Sequence, residues 1–146
     1  MPMHIDHVVL WVTDAPRAID FYTRVVGLPG VRVEEHLAGK APFASVRISE
    51  HAILDLMPAM LVQFAAGMTG EKIPTAAGKA MNHVCLAMDR ADFDALAARL
   101  RAAEVVMHKF GERSFGARGT SEHWFYFQDP DGNVLEARHY DEASAP

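Results

Sequence analysis

Cysteine is almost missing from this chain: Cys85 is the only one in 146 residues. A lone thiol closes no internal disulfide, so stability has to come from a packed core rather than a cross-linked framework. Cys85 sits inside an apolar run, where it reads as a small buried hydrophobe. Positive charge is in deficit as well, with 14 Lys and Arg against 19 Asp and Glu and a net charge of -5. No basic face with interleaved aromatics is visible, which argues against nucleic acid as a partner. Long apolar runs are also lacking. The longest, around Pro58 to Met68, is interrupted by Gln63 and Gly67 and is too short for a bilayer. The first residues show no basic segment leading into an apolar stretch, so no signal peptide is expected. Together these absences predict a soluble, cytoplasmic protein with no membrane partner.

What is present is apolar residue in quantity, 50% of the chain, mixed with 23% charged residues. That balance belongs to a folded globular domain, and the length suits one domain with a substantial core. The informative feature is a repeat. Ile5-Asp6-His7-Val8-Val9-Leu10-Trp11-Val12-Thr13-Asp14 and Met81-Asn82-His83-Val84-Cys85-Leu86-Ala87-Met88-Asp89 both run from a histidine through a short strand to an aspartate that opens a helix. One small unit is written twice.

The first copy, about residues 4–57, predicts a strand at 4–12 and a helix capped by Asp14, with Pro16 in its first turn and Gly27 at its end. Ala18, Ile19, Phe21, Tyr22, Val25 and Val26 recur at helical spacing. Three strands are expected next, at 31–37, 43–49 and 52–57. Residues 58–79, with their prolines, glycines and small side chains, read as a connector, with a helical turn near Leu61 to Ala66 and a role as lid or substrate wall. The second copy, about 80–140, predicts a helix after Asp89 with Phe93, Leu96, Ala97 and Leu100 on one face. A strand at 105–109 and a mobile Gly-rich loop at 111–120 follow. Strands at 123–128 and 133–140 then flank the turn Asp129-Pro130-Asp131-Gly132. The expected class is α+β: two βαβββ modules forming a curved mixed sheet around a central cup, in a single domain.

Strand alternation sorts the ionisable residues by face. His7 goes with Ile5, Val9 and Trp11; Asp55 with His51, Ile53 and Met57; His83 with Met81, Cys85 and Ala87; Glu136 with Val134 and Arg138. Each copy thus offers one histidine from its first strand and one carboxylate from its last. Two imidazoles and two carboxylates suit Zn, Ni, Co, Mn or Fe(II), and a divalent cation would offset the cost of burying the carboxylates. The competing readings are local: Asp55 as a solvent-facing strand residue, Glu136 as the ion-pair partner of Arg138 or Arg47, and the histidines as hydrogen-bonded or surface residues. His4, His36, His51, His108, His123 and His139 are read as surface residues, with His51 and His123 in reserve as ligands or proton-transfer groups.

The repeated strand-helix-three-strand order, the stretch Asp14-Ala15-Pro16-Arg17-Ala18-Ile19-Asp20-Phe21-Tyr22-Thr23-Arg24-Val25-Val26-Gly27-Leu28, and Asp129-Pro130-Asp131-Gly132-Asn133-Val134-Leu135-Glu136 resemble the vicinal oxygen chelate (VOC) superfamily. That group holds glyoxalases, bleomycin-resistance proteins, extradiol dioxygenases, epimerases and fosfomycin-type thiol transferases. The resemblance covers about residues 4–140. It implies metal ligands at His7, Asp55, His83 and Glu136, with Glu136 or Asp55 as catalytic base, and a divalent metal ion as cofactor. It implies a metal-dependent enzyme, of lyase, isomerase or ring-cleaving dioxygenase type, on a small molecule with vicinal oxygens. Without Asp55, the set His7, His83 and Glu136 would be a facial triad, with His51, His123 or Tyr126 asked for the acid-base role. The alternatives are a non-enzymatic antibiotic-binding protein and a thiol transferase. Glyoxalase-like members usually carry Glu where Asp55 stands, and those binding glutathione conjugates carry Arg and Asn where this chain has Trp11 and Ala59. These departures weaken a glutathione-linked reading. A homodimer is the expected assembly.

Overall fold

The first apolar run forms strand β1 (His7–Val12) in a computed structural model that describes residues 5, 7–59, 83–116 and 118–141. Asp14 then caps helix α1 (Ala15–Asp20), its carboxylate accepting from the Arg17 amide at 2.9 Å, as the sequence predicts. The helix widens into a π-helical turn (Phe21–Val26), where the Thr23 hydroxyl donates to the Ile19 carbonyl at 2.7 Å. Gly27 ends it in the left-handed region at φ 89°. Ala18, Ile19, Phe21, Tyr22, Val25 and Val26 are all buried, so the apolar spacing marks the core side.

The chain divides into two units, Met1–Asn82 and His83–Pro146, each with its own sheet. In the first, β2 (Gly30–Val31), helix α2 (Val33–Leu37), β3 (Ala44–Ser49) and β4 (Ala52–Pro58) complete a sheet of order β1-β4-β3-β2. β1 and β4 run parallel, and the other pairs are antiparallel. Leu10, Val12, Ala44, Val46, Leu54 and Leu56 fill the core, each at most 1% exposed. The strand expected at 31–37 is corrected: only Gly30–Val31 pairs, and 33–37 is helical. Val31 and Val33 alternate like a strand, but Val33 and Leu37 are also four apart. Glu34 and Glu35 lie in the first turn, where carboxylates favour a helix.

In the second unit β5 (Val84–Ala87) leads to Asp89, which caps helix α3 (Arg90–Ala102) by accepting from the Asp92 amide at 2.8 Å. Leu96, Ala97 and Leu100 form its buried stripe. Glu104 leaves the helix with a left-handed φ of 58°. A short hairpin, β6 (Ser114–Gly116) and β7 (Gly119–Ser121), precedes β8 (Trp124–Gln128) and β9 (Val134–Arg138). The sheet order is β5-β9-β8, with β5 and β9 parallel. The predicted turn is tight: Asp129 Oδ1 accepts from the amides of Asp131 and Asn133 at 2.9 and 2.8 Å, and Gly132 takes φ 81°.

Two expectations fail here. No strand forms at 105–109, where His108 alone bridges to Tyr126. The segment 111–120 is largely the β6–β7 hairpin rather than an open loop. Residues 60–79 of the connector, with the turn expected at 61–66, lie outside the described residues. The α+β class and the repeated strand-helix-strands order are as expected, and both sheets are mixed.

Candidate functional site

The two units present a histidine and a carboxylate in the same register. In the first, His7 pairs with Ile53 and Val9 with Asp55 across the parallel β1–β4 pair. Paired residues share a face, so His7 and Asp55 lie on one side of the sheet, one step apart. In the second, Cys85 pairs with Glu136, and His83 stands two residues before Cys85. Val9 and Cys85 are therefore equivalent positions, as are Asp55 and Glu136.

The carboxylates differ in their partners. Asp55 is 7% exposed, which removes the solvent-facing reading. It accepts from the Ser45 hydroxyl at 2.6 Å, directly across the β3–β4 pair. Glu136 is 3% exposed and uses both oxygens. Its Oε2 lies 3.1 Å from His83 Nε2. Its Oε1 accepts from Arg138 Nη2 at 2.6 Å and Nε at 3.1 Å.

Arg138 ties this cluster of the second unit together. It is 2% exposed and also donates to Ser114 Oγ at 2.7 Å and Tyr140 Oη at 3.1 Å. A Cβ on Gly116 would fall 1.9 Å from Arg138 Nη1, so glycine there makes room for the guanidinium. Burial opposes the Arg138 charge. The hydrogen bond to Tyr140 and the Glu136 carboxylate outweigh it and raise the pKa above the ordinary arginine range. The sequence names Arg138 as a possible partner of Glu136 but gives no hint of Ser114 or Tyr140.

Two more groups sit on the same face. Tyr126 is directly opposite Glu136 on β8, and its ring meets His83 edge-on at 5.1 Å. Desolvation, then the Glu136 charge, raise its phenol pKa. Cys85 is exposed, which corrects its expected burial. Its thiol nonetheless stands beside Glu136 and Arg138, and desolvation and the Glu136 charge push it up to about 11. Among the reserve residues, His51 is exposed next to Glu50, and His123 lies on the opposite face of the second sheet.

Two ligand atoms at about 2.0–2.1 Å from one first-row divalent ion stand roughly 2.9 to 3.4 Å apart, from octahedral to tetrahedral geometry. The 3.1 Å between His83 Nε2 and Glu136 Oε2 fits that spacing. Asp55 keeps Oδ2 for a further partner while Ser45 holds Oδ1. The donor set therefore fits a divalent metal in residue type within each unit.

Comparison with known proteins follows the same line. The family model described as Glyoxalase/Bleomycin resistance protein/Dioxygenase superfamily matches residues 4–137. The chain belongs to this superfamily. No curated protein matches it. Solved superfamily-like structures share the fold. An integron cassette protein from the mobile metagenome of V. cholerae is 24% identical, with 97% of this chain and 98% of that chain covered and a TM-score of 0.68. A lactoylglutathione lyase from Agrobacterium tumefaciens is 23% identical, covering 95% of both chains, with a TM-score of 0.62. The antibiotic-binding protein TnmS3 from a Streptomyces species is 21% identical, covering 96% of this chain and 98% of that one, with a TM-score of 0.62. Superfamily proteins bind small molecules and typically use a divalent metal. Among the described residues no helix is long and apolar enough to cross a membrane.

Proposed function

We propose that this superfamily member is a divalent-metal-dependent enzyme acting on a small substrate with neighbouring oxygen atoms, with His7, Asp55, His83 and Glu136 as metal ligands. The observation that carries the reading is the 3.1 Å approach of His83 to a buried Glu136, in the register that His7 and Asp55 share in the other unit. When bound, the ion would polarise the two substrate oxygens and stabilise the oxyanion that develops. The protein's own groups do the rest. Arg138 fixes Oε1 of Glu136, so Oε2, beside His83, is the oxygen that would hold the metal and that could, when released from it, take up or return a proton. Tyr126, its pKa raised, keeps its proton at neutral pH and can donate a hydrogen bond on that face. Exposed Val9 and Trp11, beside Asp55, offer apolar surface to the body of the substrate. The reaction is of lyase, isomerase or ring-cleaving type, in a cytoplasmic homodimer.

The test is metal content after anaerobic purification, followed by activity of the loaded protein. Near-stoichiometric iron directs the assay to oxygen uptake with catechols; nickel, cobalt or zinc directs it to isomerase, epimerase and lyase substrates. Glu136→Gln leaves the buried Arg138 charge unbalanced and should cost about 3–5 kcal/mol of stability; in protein shown by circular dichroism to be folded, it should lower bound metal by one ion per chain and abolish turnover. Unchanged metal content in that variant and in His7→Ala would overturn the ligand set.

A second reading has its own support. Arg138 already compensates the Glu136 charge, so the buried carboxylate needs no cation for its burial. A non-enzymatic small-molecule binder fits this arrangement, and the Streptomyces neighbour is itself described as an antibiotic-binding protein. Failure to take up any metal on reconstitution would put this reading first.

A further inference from the structure

The opposite face of the second sheet carries another set of metal-type donors. Trp124 pairs with Arg138 in the antiparallel β8–β9 ladder, which places His123 directly opposite His139 one step further out. The His139 amide donates to the His123 carbonyl at 3.1 Å and extends the ladder by that step. Alternation puts this histidine pair on the side of Phe125 and Ala137, away from Glu136 and Tyr126. Asp141 follows two residues after His139, and its Oδ1 lies 3.4 Å from His123 Nε2. One donor atom from each of His123, His139 and Asp141 falls within 4.8 Å of the others.

We propose that His123, His139 and Asp141 form a second divalent-cation site, separate from the ligand set above. His139 is the anchor. It is 4% exposed and its ring lies edge-on to Phe93 at 5.0 Å. Its neighbour His123 stacks on it at 4.1 Å with the planes 10° apart, and is partly exposed. Such a side chain can turn at little cost. Ring lone pairs lie in the ring plane, so His123 must turn out of the stack to share an ion with His139, and Asp141 Oδ1, 3.4 Å from its Nε2, lies within reach of that movement.

The site also faces a usable space. His123 lines a cleft of about 310 Å³ that Phe93, Asp94, Ala97 and Arg101 of α3 close on one side. Three protein ligands would leave a coordination position open towards the cleft, whose charges, Arg101 and Lys109 against Asp94 and Glu122, balance. Two imidazoles and one carboxylate suit Zn²⁺, Ni²⁺ or Cu²⁺ more than Ca²⁺ or Mg²⁺. The ligands come from the edge of β8 and the segment after β9, so a bound ion would tie those two segments together.

The test uses untagged full-length protein stripped of metal and titrated with Zn²⁺ against a chromophoric competitor. In His83→Gln/Glu136→Gln, which removes donors on the other face, one Zn²⁺ per chain should still bind. Adding His123→Asn, or Asp141→Asn, should weaken that ion at least tenfold. The ring resonances of His123 and His139 should shift together on Zn²⁺ addition. If the double variant fails to fold, His123→Asn in the otherwise unchanged protein should lower the stoichiometry by one ion. Unaltered stoichiometry and affinity in both His123→Asn and Asp141→Asn would overturn the proposal. So would Zn²⁺ binding that leaves the His139 resonances unmoved.

Discussion

One register, two electrostatic solutions: Asp55 and Glu136 occupy equivalent places on parallel strand pairs, yet a serine hydroxyl steadies the first and an arginine the second. Among the described residues Asp55 has a neutral donor and no ion pair with Lys or Arg, so that carboxylate has the greater need of a cation. A guanidinium compensates Glu136 outright, so that carboxylate is stable with or without one. The difference teaches that a repeat can conserve geometry while dividing the electrostatic work. On the proposed reading, Asp55 would gain more from the ion, and Glu136, already oriented, is better suited to handle protons.

The largest expected effect comes from taking each partner away. Arg138→Met strands a buried Glu136, and breaking such a pair costs about 3–5 kcal/mol. Ser45→Ala removes one hydrogen bond to a buried carboxylate and costs about 1–3 kcal/mol. Urea unfolding of metal-free protein measures both. Equal losses would dissolve the contrast, and recovery of Arg138→Met on adding Zn²⁺ would sharpen it.

Next in size is the contrast between Cys85 and its counterpart Val9. A thiol pushed up to about 11 from its ordinary 9.0 holds its proton longer as pH rises. At pH 8 it has roughly 100-fold less thiolate than an ordinary cysteine, and iodoacetamide should react correspondingly slowly. The unfolded chain loses this proton first, so the thiol's contribution to folding declines as pH climbs from 9.0 towards 11. Glu136→Gln should move the alkylation midpoint down; a midpoint that stays put would remove Glu136 as a cause.

The smallest effect concerns the helix ends. The first unit's helical segment closes on Gly27 at φ 89°, whereas α3 closes on Glu104 at φ 58°. Glu104→Gly should raise stability by about 1 kcal/mol, since a side chain resists that conformation. A thermal midpoint that falls instead would mean the Glu104 side chain contributes more than the strain costs.

What the chain discloses in advance is what neighbours in sequence decide. Asp14 and Asp89 announce their helices because a capping carboxylate reaches an amide three residues on. Asp129 through Asn133 announces the last hairpin for the same local reason. The pairing of His123 with His139 was within reach too, since the register counts outward from that turn. Reading them singly as surface residues hid the pair. Arg138's bonds to Ser114 and Tyr140 were not legible, because nothing local links 114 to 138. For 31–37 and 105–109 the apolar pattern was too short to distinguish strand from other structure. His7, Asp55, His83 and Glu136 came from alternation and the repeat, which predict a shared face but not which partner each carboxylate takes.

Gly116 and Arg138 have a consequence for local opening. The guanidinium fills the space above Gly116 while holding Ser114, Tyr140 and Glu136 at once. The hydrogen-bonded amides of the β6–β7 hairpin should then exchange faster when this one side chain lets go. Hydrogen exchange along 114–121 thus reports the lifetime of an ion pair that belongs to another strand, and slows or quickens with whatever occupies Glu136.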